Sequence, residues 1–123
     1  MSTNIQKLVL IRAKTLIADP QHWTRDTLAR SRQGVDVSWA DRSAARWCAM
    51  GAIYRAAYDL LGDANKAARV GNDVVRSIIP PGESQLRGYL ATLNDHGGHA
   101  AVIEAFDRAL SVDTGPGQGM VAD

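Results

Sequence analysis

The chain contains a single cysteine, Cys48, in 123 residues. A lone thiol excludes an internal disulfide and a self-contained cysteine-rich zinc site, and it fits a reducing compartment. Charge of one sign is equally scarce. Lys and Arg number 14 against 13 Asp and Glu, a formal net charge of +1. Non-specific nucleic-acid binding needs clustered cations to displace counterions from phosphates, so this balance makes a nucleic-acid partner unlikely. Long apolar runs are missing as well. The "LVLI" stretch near the start is interrupted by Arg12 and Lys14, too short for a signal sequence. Nothing approaches the ~20 apolar residues of a membrane span. A cytoplasmic protein without a membrane partner is expected. The sequence has no G-x-S-x-G, H-E-x-x-H or P-loop pattern. "GPGQG" near the C-terminus follows no strand and opens no helix, so it lacks the context of a phosphate-cradling loop, and no cofactor is expected.

What is present reads as a helical protein. With 46% apolar and 22% charged residues, the composition is that of an ordinary globular domain. Leu8, Val9, Arg12, Ala13, Leu16 and Ile17 recur at helical spacing, with Asn4 placed to cap the start and Asp19-Pro20 to stop it. Leu10 and Ile11 widen the apolar face beyond that stripe, so the first helix is either buried on more than one side or covers a partner. Residues 21–43 are the least helical. "TLARS" and "VDVSW" alternate around "RQG", consistent with a small β-hairpin or an ordered loop. A second helix is expected over residues 44–61, capped by Asp41 or Ser43 and ended by Gly62. A third follows over 64–79, stopped by "PPG" at 80–82. A short one capped by Ser84 and a last one over 99–110 complete the set. The expected fold class is all-α: a compact bundle of about five helices in one domain, residues 1–112, with a loop or hairpin insert after the first helix. A flexible Gly-rich tail over residues 113–123 follows.

The residues that could carry chemistry are few. A catalytic cysteine must ionise, which a helix N-terminus and a nearby histidine favour. With Cys48 one turn inside its helix and His99 opening another, a Cys48–His99–Asp95 or Cys48–His99–Asn94 arrangement is conceivable. Against it stand Ala49, Gly51 and Ala52, the residues that let elements approach closely, and the general behaviour of buried cysteine as a small hydrophobe. In "DHGGH", His96 and His99 are separated by two glycines that hold no ligand geometry, so no metal site is expected. Asn94 and Asp95 have a plainer role as turn formers between helices. Trp23 and Trp47 read as core anchors, and Trp39 stays open between core and surface.

Three stretches, "LIADPQHWTRDTLAR", "DRSAARWCAMGAIYRAA" and "LNDHGGHAAVIEAFDRAL", together resemble a family of small bacterial and phage proteins classified only as a domain of unknown function. That family combines L-I-x-x-P-x-x-W, W-C-x-x-G-A, N-D and V-I-x-x-F-D-x-A patterns. The resemblance implies a mostly helical domain and no established activity, so it transfers no catalytic residue. It draws attention to Trp23, Trp47, Cys48, Gly51, Asn94 and Asp95. The functional expectation is a non-enzymatic protein that binds a protein partner or itself. The alternative is a cysteine-dependent hydrolase or transferase using Cys48 and His99. A weaker one is a nucleic-acid-associated regulator using Arg25, Arg30, Arg32, Arg42 and Arg46.

Overall fold

The computed structural model describes residues 4–80 and 86–113. Within them lie five α-helices: α1 (Asn4–Ile17), α2 (Ala49–Leu61), α3 (Ala64–Ile78), α4 (Leu86–Thr92) and α5 (His99–Asp113). Two short antiparallel strands, β1 (Ala29–Ser31) and β2 (Ala44–Trp47), sit between α1 and α2. The fold is therefore mainly α with a hairpin insert after the first helix, as the periodicity implied. The cap expected at Ser84 and the tail expected over 113–123, apart from Asp113 at the end of α5, lie outside the described residues.

α1 turns Val9, Leu10, Ala13 and Ile17 inward. Of the two residues that widen the apolar face, Leu10 is only 2% exposed and belongs to the core, so α1 is buried on more than one side there. Leu8, expected on the inward stripe, is corrected to a surface position at 52% exposure, and Ile11 also lies outside the core at 44%. Asn4 is itself helical in α1, not the cap before it. α2 and α3 form an antiparallel pair joined at Gly62, whose left-handed φ of 72° favours glycine. Asp63 then caps α3 by accepting a hydrogen bond from the Lys66 N–H at 2.9 Å. The pair approaches closely because Gly71 has no side chain. A Cβ there would lie 2.4 Å from the Tyr54 ring. α5 packs against α1 and α3 and buries Val102, Ala105 and Phe106, and Leu90 of α4 joins the same core.

Three expectations about the insert are corrected. Residues 44–47 are not the first turn of α2; they are β2, paired with β1 in the register Ala29↔Trp47, Arg30↔Arg46 and Ser31↔Ala44. Ala and Arg favour helices, but only weakly per residue. Here that preference is outweighed by the ladder and by burial of Ala44 and Trp47. The carboxylate of Asp41 does not cap a helix. It accepts hydrogen bonds from the N–H and hydroxyl of Ser43, and the Ala44 N–H donates to the Asp41 carbonyl, forming the turn that feeds β2. "VDVSW" is not the principal partner of β1. It touches the other side of β1 through one Arg30↔Asp36 bridge, with a tight turn at Gly34 (φ 87°). Trp39 then packs on Tyr54 and Tyr58, with ring centroids 5.4 and 6.2 Å away. Arg55 of α2 ties that loop down by donating to the carbonyls of Trp39 and Asp41. Among the described residues no helix is long and apolar enough to cross a membrane.

Candidate functional site

Asn94 sits in a one-turn π-helical segment, Leu93–Gly97, between α4 and α5. It is 1% exposed and is the only fully buried polar residue among the largest buried side chains. Its amide is fully occupied. Oδ1 accepts from Trp23 Nε1 at 2.7 Å and from the Ala49 N–H at 2.9 Å. Nδ2 donates to the Thr24 carbonyl and to Asp95 Oδ1, both at 3.1 Å. An amide offers two donors and an acceptor oxygen with two lone pairs, so this one has nothing left for a ligand. It stitches the segment after α1, the N-terminus of α2 and the α4–α5 junction into one unit.

The stitching continues around it. The Thr24 N–H donates to the Trp47 carbonyl and the Cys48 N–H to the Leu28 carbonyl. Asp95 Oδ1 also accepts from the Asp26 N–H at 3.0 Å. Asp26 itself holds a φ of 66°, a left-handed conformation that Asp tolerates better than most residues. Burial alone would raise the Asp95 carboxyl. The hydrogen bonds from Asp26 and Asn94, with the charges of His96 and Arg25 nearby, outweigh it and hold Asp95 below the ordinary carboxylate range.

Cys48 is the N-cap of α2, not a residue one turn inside it. Its backbone is extended (φ −79°, ψ 178°) and its Sγ accepts from the Gly51 N–H at 3.3 Å. The thiol is 8% exposed, and burial pushes it up, away from the thiolate, despite the amide hydrogen bond. A small cavity of about 210 Å³ opens beside it, between Leu28, Met50, Leu90, Asn94 and Asp95. Gly51 explains why the cap sits so tightly: a Cβ there would lie 1.9 Å from the Leu28 carbonyl oxygen. The close approach is to the strand segment, not to another helix.

His99 faces elsewhere. Its Nε2 lies 2.6 Å from the Ile17 carbonyl oxygen, so this nitrogen carries the proton and donates. Its ring meets Trp23 edge-on at 5.7 Å between centroids. It borders a cavity shared with Lys14, Ala18 and Ile103, whereas Cys48 borders the other. The structure thus brings Trp23, Trp47, Cys48, Gly51, Asn94 and Asp95 together around the start of α2, and sets the imidazole of His99 on a different side of Trp23. Thr24, Asp26, Leu28 and Arg55 take part in this unit and are not among the site residues that the sequence suggests. Three of them act through backbone groups, which carry no side-chain signature. Among the described residues no group of three His, Cys, Asp or Glu side chains is arranged to hold a metal ion.

The arginines of the insert separate into two sets. Arg25 lies over the Trp23 ring, 5.1 Å from its centroid. Arg30 pairs with Asp36 at 3.2 Å and donates to the Thr24 hydroxyl. Arg42 is exposed on the turn before β2. Arg32 and Arg46 line a groove of about 830 Å³ with Gln21, His22, Trp23 and Trp47. Arg46 is half-buried and stands directly opposite Arg30 in the ladder. Among the described residues neither Arg32 nor Arg46 has an ion-pair partner, whereas Arg12, Lys14, Arg30, Arg55, Arg76 and Arg108 each have one.

The chain belongs to the family of unknown function DUF6197, whose pattern matches residues 1–112. No curated protein and no solved structure matches it.

Proposed function

We propose that this chain, a member of a family that carries no assigned activity, works as a non-catalytic protein-binding module. The observation that carries the reading is the occupancy of its motif residues. Every polar group of the Asn94 amide is spent on Trp23, Thr24, Ala49 and Asp95. Asp95 also accepts from Asp26, and the Cys48 sulfur caps its own helix. Such a cluster fixes one arrangement of three chain segments, and its amide and its Asp95 Oδ1 are spent on holding that arrangement. A nucleophile would need the opposite, an exposed thiolate hydrogen-bonded to an imidazole.

The surfaces left for function are the exposed Leu8 and Ile11 on α1 and the groove beside β2. Leu8 and Ile11 are one turn apart and share a face. Self-association through them would bury both. Sedimentation velocity from micromolar to submillimolar concentration tests this. The reading expects a dimer that Ile11→Glu abolishes without loss of the fold. A monomer throughout, unchanged by the substitution, would remove the α1 face and confine binding to the groove.

The cysteine-hydrolase alternative draws support from one feature, the cavity of about 210 Å³ at the thiol. It requires an imidazole at that cavity, and the only histidine proposed for the role is engaged with the Ile17 carbonyl.

A further inference from the structure

We propose that the groove between the Pro20–His22 turn and β2 binds an acidic peptide segment of a partner protein, whose carboxylates are read by the guanidinium groups of Arg32 and Arg46. This rests on the binding-module reading and adds the chemistry of the partner.

Two independent features of the structure point to an anion. The first is the cross-strand pair Arg30↔Arg46. Like charges directly opposite in an antiparallel pair destabilise it. Arg30 is relieved by Asp36 at 3.2 Å, whereas Arg46, half-buried at the groove, forms no ion pair among the described residues. A strand that places two cations face to face and neutralises one of them breaks a local rule, and such breaches concentrate at functional positions. The second is the lining itself. The groove carries Arg32, Arg46, His22 and Gln21, all hydrogen-bond donors, and not one Asp or Glu. A guanidinium fork matches a carboxylate bidentately, so two forks suit closely spaced acidic side chains.

The same surroundings favour peptide over nucleotide or nucleic acid. Base recognition needs an open aromatic face on which to stack. The Trp23 indole already has Arg25 over its ring and His99 at its edge. The Trp47 indole is buried and lies under Arg55, 5.4 Å from the centroid. A long polyanion also gains little from a chain of net charge +1. Small-molecule sites enclose most of their ligand. Here Pro20, Gln21, His22 and Arg32 are all exposed, so the groove is an open trough with a wet rim, suited to a segment passing through it.

The experiment titrates the full chain at low salt with end-blocked oligoglutamate, oligoglutamine and oligolysine of equal length, a single-stranded oligonucleotide, and ATP. Calorimetry and the fluorescence of the groove tryptophans report binding. Oligoglutamate is expected to bind and the other probes to bind weakly or not at all, with affinity falling as salt screens the pairs. Arg32→Ala and Arg46→Ala should each weaken it roughly tenfold or more, the loss expected for one charge-assisted hydrogen-bond set. Arg32→Glu should shift preference from oligoglutamate toward oligolysine, a reversal that no loss of packing would produce. Arg32 is exposed, so its variants keep the test decisive should Arg46 variants fold poorly. The proposal is overturned if oligoglutamine binds as tightly as oligoglutamate. It is equally overturned if binding ignores both arginines, if the oligonucleotide or ATP binds in preference, or if no probe binds. Those outcomes leave the binding-module reading standing. That reading falls to a different result, rapid His99-dependent reaction of the native Cys48 thiol.

Discussion

Asn94→Ala is the most informative single perturbation of this fold. The substitution removes an amide that is 1% exposed and deprives three groups of their partner: Trp23 Nε1–H, the Ala49 N–H and the Thr24 carbonyl. A buried polar group left unsatisfied costs about 1–3 kcal/mol. The Ala49 N–H is sealed in the core and pays the full amount, while Trp23 is half-buried and recovers part of it from water. The sum is about 4 kcal/mol, a large share of the roughly 5–15 kcal/mol that holds a domain folded. Urea unfolding followed by tryptophan fluorescence reads it directly. With a denaturant slope of about 2 kcal/mol per molar, the midpoint should fall by about 2 M. Asn94→Asp sharpens the test, because it keeps the volume and one accepting oxygen. Its second oxygen would face the Thr24 carbonyl and the Asp95 carboxylate, both acceptors. That variant should be weak at neutral pH and recover as acid protonates the introduced carboxyl and restores a donor. A loss below about 1 kcal/mol for Asn94→Ala would refute the reasoning, since no satisfied buried network can be removed so cheaply.

Gly51→Ala should abolish folding or cost more than about 3 kcal/mol, because its Cβ would collide with a backbone carbonyl 1.9 Å away that cannot step aside; Gly71→Ala meets only the Tyr54 ring and should cost less in the same urea assay. Cys48→Ser should stay within about 1 kcal/mol of wild type, since a hydroxyl caps a helix at least as well as a thiol, whereas Cys48→Ala loses the cap and leaves a small void at about 1 kcal/mol or more. The thiol is raised by burial, so its contribution is full below the unfolded value of about 8.5 and is lost as pH climbs above it; thermal scans should show alkaline loss that Cys48→Ser removes. Asp95, Asp63 and Asp41 are all lowered. Their contribution is present above the unfolded carboxylate range near pH 4 and disappears as pH falls through and below it. Melting temperature should therefore drop below about pH 4, opposite in sign to the Asn94→Asp variant.

The helices were legible because their signals are local. Gly62 and the Ala67, Val74, Val75 and Ile78 stripe lie within one segment, and turn chemistry and periodicity report them directly, although the Asp63 cap was not identified. The candidate site was legible only as a set of residues. Trp23 and Asn94 are 71 positions apart, and nothing in either flank announces the bond between indole and amide. The start of α2 was misplaced for a related reason. Ala44, Ala45 and Arg46 are good helix formers, and the force that makes them a strand comes from β1, in a different part of the chain. Cysteine is also a poor advertisement for an N-cap, since Ser, Thr, Asp and Asn fill that position far more often. The wide apolar face of α1 left open whether Leu10 is buried or covers a partner, and it is buried because α1 packs against α2, α3 and α5 at once.

The rate at which the native Cys48 thiol reacts with a disulfide reagent, followed across urea concentration, tests the central claim that the motif residues lock the fold. The account predicts slow native labelling whose opening free energy equals that of global unfolding, and faster labelling in His99→Ala, because losing the tether to the Ile17 carbonyl destabilises the domain. Native labelling as fast as in full denaturant, and slowed by His99→Ala, would contradict it and make Cys48 a reactive group.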